Sequence, residues 1–190
     1  MDLKQLQRML KLRNTFGDKI TVTDEILVWQ GKKLLFKQKG HIVNYGLIGL
    51  IDILAAGSSI QAPSYNWGTN GTIRLGTDTV TPTGGATTAL TAEINTAPNT
   101  HSGATANPAS NQYRVAWIAT WNAGTISGTI GEMALKLYIQ NTLLAFGASF
   151  SASANTLFSR LSVADGDFTA FTINTSVPLT IEWRLLLTFA

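Results

Sequence analysis

From Leu179 to Phe189 the side chains alternate strictly. Leu179, Ile181, Trp183, Leu185, Leu187 and Phe189 fall on one parity, and Thr180, Glu182, Arg184 and Thr188 on the other. A period of two puts successive side chains on opposite faces of a strand and is incompatible with a helical stripe. One face of this segment must therefore meet a core. A long strand so patterned is an aggregation hazard if its edges stay open. The sequence accordingly predicts that it lies centrally in a sheet or at a subunit interface. Leu186, on the otherwise polar parity, hints at cover on the second face too.

The same period recurs upstream. Tyr113, Val115, Trp117, Ala119 and Trp121 alternate with Arg114, Ala116, Ile118 and Thr120, and Asn122-Ala123-Gly124 closes that strand. Leu135–Ile139, Leu143–Phe150, Leu157–Val163 and Phe168–Ile173 read as further strands, with Asp165-Gly166-Asp167 as a turn. Short alternating strands with regular turn signals are the pattern of an all-β sandwich or barrel. Nearer the start, Lys19–Thr23 is followed by Glu25–Gln30 and Lys32–Gln38, which form a small hairpin about Gln30-Gly31-Lys32, with Ile26, Val28 and Leu35 on one face. Thr72–Gly76 is one more strand.

Two helices are expected. Residues 2–13 carry Leu3, Leu6, Met9 and Leu10 at helical spacing against a Lys/Arg/Gln face, with Asp2 as N-cap. Residues 42–56 are apolar nearly all round, hence a buried helix, and Gly57 can end it. A short helical turn is expected at Thr88–Ile94. Asn95–Asn111 contains Pro98 and Pro108 and shows no periodicity, so it reads as a long contact loop. The expected fold is mainly β: an antiparallel, jelly-roll-like β-sandwich with one buried helix and an N-terminal basic helix-hairpin arm. The expected division is an anchoring arm at 1–39 and a β-sandwich domain at 40–190.

Charge supports the arm. Residues 1–41 hold nine of the fourteen Lys/Arg and four of the eleven Asp/Glu. Such asymmetry marks a segment that meets an acidic protein surface, a membrane or nucleic acid. Lys4, Arg8, Lys11, Arg13, Lys32 and Lys33 are the candidate partner contacts. Aromatic residues there are limited to Phe16, Trp29 and Phe36, so a protein partner is favoured over nucleic acid. Charged residues are 13% of the chain, against about 25% in typical domains. A surface that poor in charge suggests cover by other chains.

Catalytic and metal chemistry finds little to stand on. There is no cysteine, which excludes disulfides and thiolate metal sites. His41 suits a packing or turn role and His101 a surface contact. Glu132 and Glu182 could pair as glycosidase acids, but a salt-bridged strand position is the simpler role for each. Asp165-Gly166-Asp167 could offer oxygens to Ca²⁺ but lacks the other acidic positions of an EF-hand loop. Gly68, Gly71, Gly76, Gly84 and Gly85 lie in a segment without the lysine of a phosphate loop. No catalytic residue, metal ligand or cofactor is therefore assigned, and the expectation is a non-enzyme. Of the five tryptophans, Trp117, Trp121 and Trp183 suit a core. Tyr65 and Trp67, in a Pro/Ser/Asn/Gly loop, are the candidates for surface recognition of a glycan or receptor.

No secretory signal and no transmembrane segment is expected, since Ile42–Ala56 is too short to span a bilayer and contains Asn44 and Asp52.

The order of segments resembles structural proteins of tailed bacteriophages and related viruses, in tail, fibre and capsid-decoration roles. The residues that carry the likeness are Gly40–Asn44 and an apolar stretch closing at Leu54–Gly57. Ile73–Thr77, Thr81–Thr83, Thr87–Leu90 and Glu93-Ile94 follow. Gly131–Leu135, Leu157–Leu161 and the closing Leu179–Leu185 complete the set. Asp78 stands where the family block has a second Gly. The resemblance spans residues 40–190 and implies a virion protein assembled in the host cytoplasm, packed as a homo-oligomer (a trimer or other ring) with other virion proteins. The alternative is a carbohydrate- or receptor-binding β-sandwich module at a fibre tip.

Overall fold

A computed structural model describes residues 20–42, 71–83, 89–94, 96–98, 100–106, 109, 112–137 and 156–189. In chain order the strands are β1 (Ile20–Gln30), β2 (Lys33–Lys39), β3 (His41–Ile42), β4 (Thr72–Gly76), β5 (Glu93–Ile94) and β6 (Thr100–Ala106). Then come β7 (Gln112–Trp121), β8 (Thr129–Ile130), β9 (Glu132–Leu137), β10 (Thr156–Ser162), β11 (Phe171–Thr172) and β12 (Leu179–Phe189). They form a first sheet in the order β2-β1-β12-β7-β6, a second in the order β3-β10-β9-β4-β5, and a small β8–β11 pair. Every pairing is antiparallel. The fold is mainly β, and among the described residues the one helical element is a 3-10 turn at Val163–Asp165.

β12 is the middle strand of the first sheet. It pairs with β1 from Leu179 to Phe189 and with β7 from Leu179 to Thr188. Both edges are thereby satisfied, as the hazard of an open patterned edge requires. Leu179, Ile181, Trp183, Leu185 and Leu187 are all buried, while the opposite parity, Leu186 included, is half-buried. Trp183 faces Ile26 on one side and Trp117 on the other.

One hydrophobic core draws on both large sheets. Ile26, Val28, Val115, Trp117, Trp121, Ile181 and Trp183 come from the first; Ile73, Leu75, Met133, Leu135, Phe158 and Leu161 come from the second. Phe36, Phe168 and Phe171 extend it as an aromatic cluster, with the Phe36 and Phe168 rings stacked at 5.3 Å. In β10 the register shifts between Leu157 and Ser159, so that Phe158 and Ser159 both escape the plain alternation.

Several expectations are corrected. The hairpin at 20–39, expected within an appended arm, is part of the first sheet: β1 lies between β2 and β12, and Ile26 and Val28 are fully buried. Its alternating apolar face is a core face, and the basic charge sits on the remaining positions. The stretch 95–111, expected as a loop, contributes β6. Its small residues carry no apolar alternation, but they suit the register, which sets Gly103 opposite the bulky Trp117. Backbone pairing with β7 decides this strand. Glu93-Ile94, expected in a helical turn, is β5 against Leu75 and Gly76. The strand expected at 168–173 shrinks to Phe171-Thr172. Residue 42, the expected start of the buried helix, ends β3. The rest of that helix, the helix at 2–13 and the strand at 143–150 lie outside the described residues.

If the two faces of β12 differ as described, Ile181→Ala lowers stability by about 2–5 kcal/mol through loss of packed volume. Thr180→Ala, on the other face, costs less than about 1 kcal/mol. Urea midpoints of the two variants, at unchanged m-value, check the contrast.

Candidate functional site

On β1, the parity that buries Ile26 and Val28 also carries Asp24, which is only 5% exposed. A carboxyl group in this position needs hydrogen bonds. Trp183 on β12 donates its indole Nε1–H to Oδ1 at 2.5 Å, and the Ser159 hydroxyl on β10 donates to Oδ2. The Asp24 carbonyl accepts from Gly40 N at 3.2 Å. Asp24 therefore ties β1 and β12 of the first sheet to β10 of the second. Gly40 sits where the chain leaves β2 for β3, crossing between sheets. A Cβ there would collide with Asp24 Oδ2 and lie 2.7 Å from Ser159 Oγ and 2.9 Å from Ile26 Cδ1. The absence of a side chain at residue 40 lets the crossing close over the carboxyl.

Burial raises the Asp24 carboxyl to about 7, against the lowering pull of the Ser159 and Trp183 hydrogen bonds and the positive charge of His41. The consequence for stability has a definite sign. Between 3.8 and about 7 the folded chain holds a proton that the unfolded chain has lost. The stability contributed by the neutral acid is complete below the unfolded value and is lost as pH rises through the folded one. The magnitude is on the order of a few kcal/mol.

His41 on β3 places Nε2 2.7 Å from Asp167 Oδ1. The other Asp167 oxygen accepts from Ser162 N at 2.9 Å, and Asp165 accepts from Thr83 N at 2.8 and 3.0 Å. The Asp165-Gly166-Asp167 segment is a turn with Gly166 at φ 75°, and each carboxylate is turned to a protein donor.

A second buried node lies on the far side of the second sheet. Arg160 Nη2 meets Glu132 Oε2 at 2.7 Å, with both side chains almost wholly buried. Arg160 also donates to Thr83 Oγ1 and to the Thr81 carbonyl, each at 3.1 Å. Glu132 accepts from Thr91 N at 3.1 Å and Ala92 N at 2.7 Å. The pair pins both ends of the 81–92 stretch against the sheet, over a small cluster of Leu90, Ala134 and Leu157. Asp78 accepts from Thr81 N at 2.9 Å and closes the turn leading in.

Glu132 and Glu182, weighed in the sequence as a glycosidase pair, sit on different sheets. Glu182 binds Arg184 through two contacts, at 2.6 and 2.8 Å, beside Glu25 and Lys37. Among the other sequence candidates, Lys32 and Lys33 are exposed at the β1–β2 turn. Lys4, Arg8, Lys11, Arg13, Tyr65 and Trp67 lie outside the described residues. His101 occupies β6 in register with Ala119. Asp24 was legible in principle, since Val22, Asp24, Ile26 and Val28 share a parity. Ser159 was not, because the register shift beside it breaks the pattern. The described clusters fasten strands and loops: Ser159 hydrogen-bonds a carboxyl and is itself fully buried.

No family model matches the chain, and no curated protein or solved structure does.

Removing one member of the buried ion pair strands the other in a dry site. Arg160→Ala therefore costs about 3–5 kcal/mol, together with new protease cleavage between residues 77 and 94. Thermal melting and limited proteolysis read the two effects. Unchanged resistance of that segment would show that the pair does not hold it.

Proposed function

We propose that this chain is a virion structural protein, a tail, fibre or capsid-decoration component whose antiparallel β-sandwich, jelly-roll-like in character, packs into a closed homo-oligomer on the particle. The observation that carries this reading is the contrast between the two edges of the first sheet. The β2 edge is guarded by Lys33, Lys37 and Lys39, and Lys32 sits at its turn. Charge, lysine above all, is how natural sheets keep an edge from pairing with another chain. The β6 edge, Thr-His-Ser-Gly-Ala-Thr-Ala, has no Lys, Arg, Asp, Glu or Pro. Among the described residues it pairs with β7 alone. An uncharged edge on a chain with 13% charged residues is suited to contact with copies of itself.

The resemblance to phage structural proteins supplies the virion setting. Lys4, Arg8, Lys11, Arg13, Lys32 and Lys33 supply docking contacts to an acidic neighbour. Closed rings, trimers among them, satisfy every copy equally.

Sedimentation of the purified protein across a wide concentration range tests the reading. It predicts one closed oligomer. Ser102→Lys, at the register position opposite Ile118, weakens association by about tenfold or more, roughly 1.4 kcal/mol. A wild-type chain that stays monomeric at high concentration overturns it.

A further inference from the structure

We propose that Asp24 is a proton-operated latch between the two large sheets: neutral, it locks β1, β10 and β12 together beneath Gly40; ionised, it loosens the β2–β3 crossing at residues 39–42. The proposal stands on the geometry of the crossing and is independent of the virion reading.

The carboxyl lies at the seam, with two side-chain donors, Trp183 Nε1–H and the Ser159 hydroxyl. Ile26, Asp24 and Ser159 all close on the position a Cβ of Gly40 would take. The charged groups around it are otherwise engaged. On β1 itself, Glu25 is on the opposite parity and pairs with Lys37 and Arg184. From β12 the facing group is Trp183, while Arg184 turns to Glu182 and Glu25. From β10 it is Ser159, while Arg160 binds Glu132. From the crossing comes His41, among the described residues the one charge that acts on the carboxyl, and its Nε2 is held by Asp167. Lys39 pairs in register with Glu25 and is exposed.

An ionised carboxylate with two side-chain donors and, among the described residues, no cation in contact needs further hydrogen bonds, which water can bring. Over the carboxyl lies Gly40, which has no side chain and is flanked by exposed Lys39 and His41. Hydration therefore requires the crossing to lift. The Gly40 N to Asp24 O bond at 3.2 Å and the two-residue pairing of β3 with β10 are what it would break. The proton leaves to solvent, and the Trp183 and Ser159 donors can stay on the carboxylate. The transition falls near neutrality, where burial has placed this acid.

The experiment is hydrogen–deuterium exchange of peptides covering 37–42, corrected for the intrinsic pH dependence of amide exchange, between about pH 5.5 and about pH 8.5. Opening should increase about tenfold or more across this range. Asp24→Asn, which keeps an acceptor for Trp183 and has no acidic proton, should show no transition. Ser159→Ala removes a donor that favours the ionised form, so its transition should move to higher pH. His41→Asn should retain a transition. A flat wild-type profile overturns the latch. So does a transition that survives in Asp24→Asn and vanishes in His41→Asn, which would assign it to the His41–Asp167 pair. Should Asp24→Asn fail to fold, Ser159→Ala decides, and an unmoved midpoint overturns the proposal.

Discussion

β12 is hydrogen-bonded along its length on both sides, and the rest of the molecule is arranged around that constraint. A middle strand of eleven residues calls for long neighbours on both sides, and β1 has eleven residues and β7 ten. It fixes their parity as well, because a slip of one residue would turn every core side chain of β1 or β7 to the other face. Trp183, Trp117 and Ile26 come into one row by this register. The second sheet then closes the core with Ile73, Leu75, Met133, Leu135 and Phe158.

Apolar packing alone leaves the relative position of two sheets loosely specified, since it is non-directional. Two buried polar nodes supply direction. Asp24 joins β1 and β12 to Ser159 of β10 through the core, and Gly40 closes over it. Arg160 and Glu132 fasten the 81–92 stretch to the other face of the second sheet. Both nodes carry the cost of desolvated charge or of a carboxyl forced toward neutrality. In return, hydrogen-bond geometry admits few alternative arrangements. Gly76 shows the same economy as Gly40: a Cβ at residue 76 would overlap the Glu132 carboxyl group.

The two buried polar nodes are thus committed to fastening. What the molecule turns outward from its first sheet is an ion-paired face of Glu25, Lys37, Glu182 and Arg184 and two unlike edges, one rich in lysine and one without charge.

The sequence by itself determined the strands whose side chains bear a strong period. β12 and β7, the Gln30-Gly31-Lys32 turn, Thr72–Gly76 and the inward tryptophans were all legible, because a half-buried strand writes its two faces directly into the chain. Strands held mainly by backbone pairing were not. β6 has small, polar residues, and nothing local distinguishes it from a loop until β7 lies beside it. Nor could local pattern show that the basic hairpin is built into the sheet, since an amphipathic hairpin looks the same whether its apolar face meets a core or a partner. The Asp24 site was half legible: parity put the carboxyl inward, but the indole, hydroxyl and glycine that receive it are distant in the chain, 159, 135 and 16 residues away. Only the tertiary structure brings them together, because the directional bonds that make a buried acid tolerable come from three strands and a crossing that no sequence neighbourhood contains.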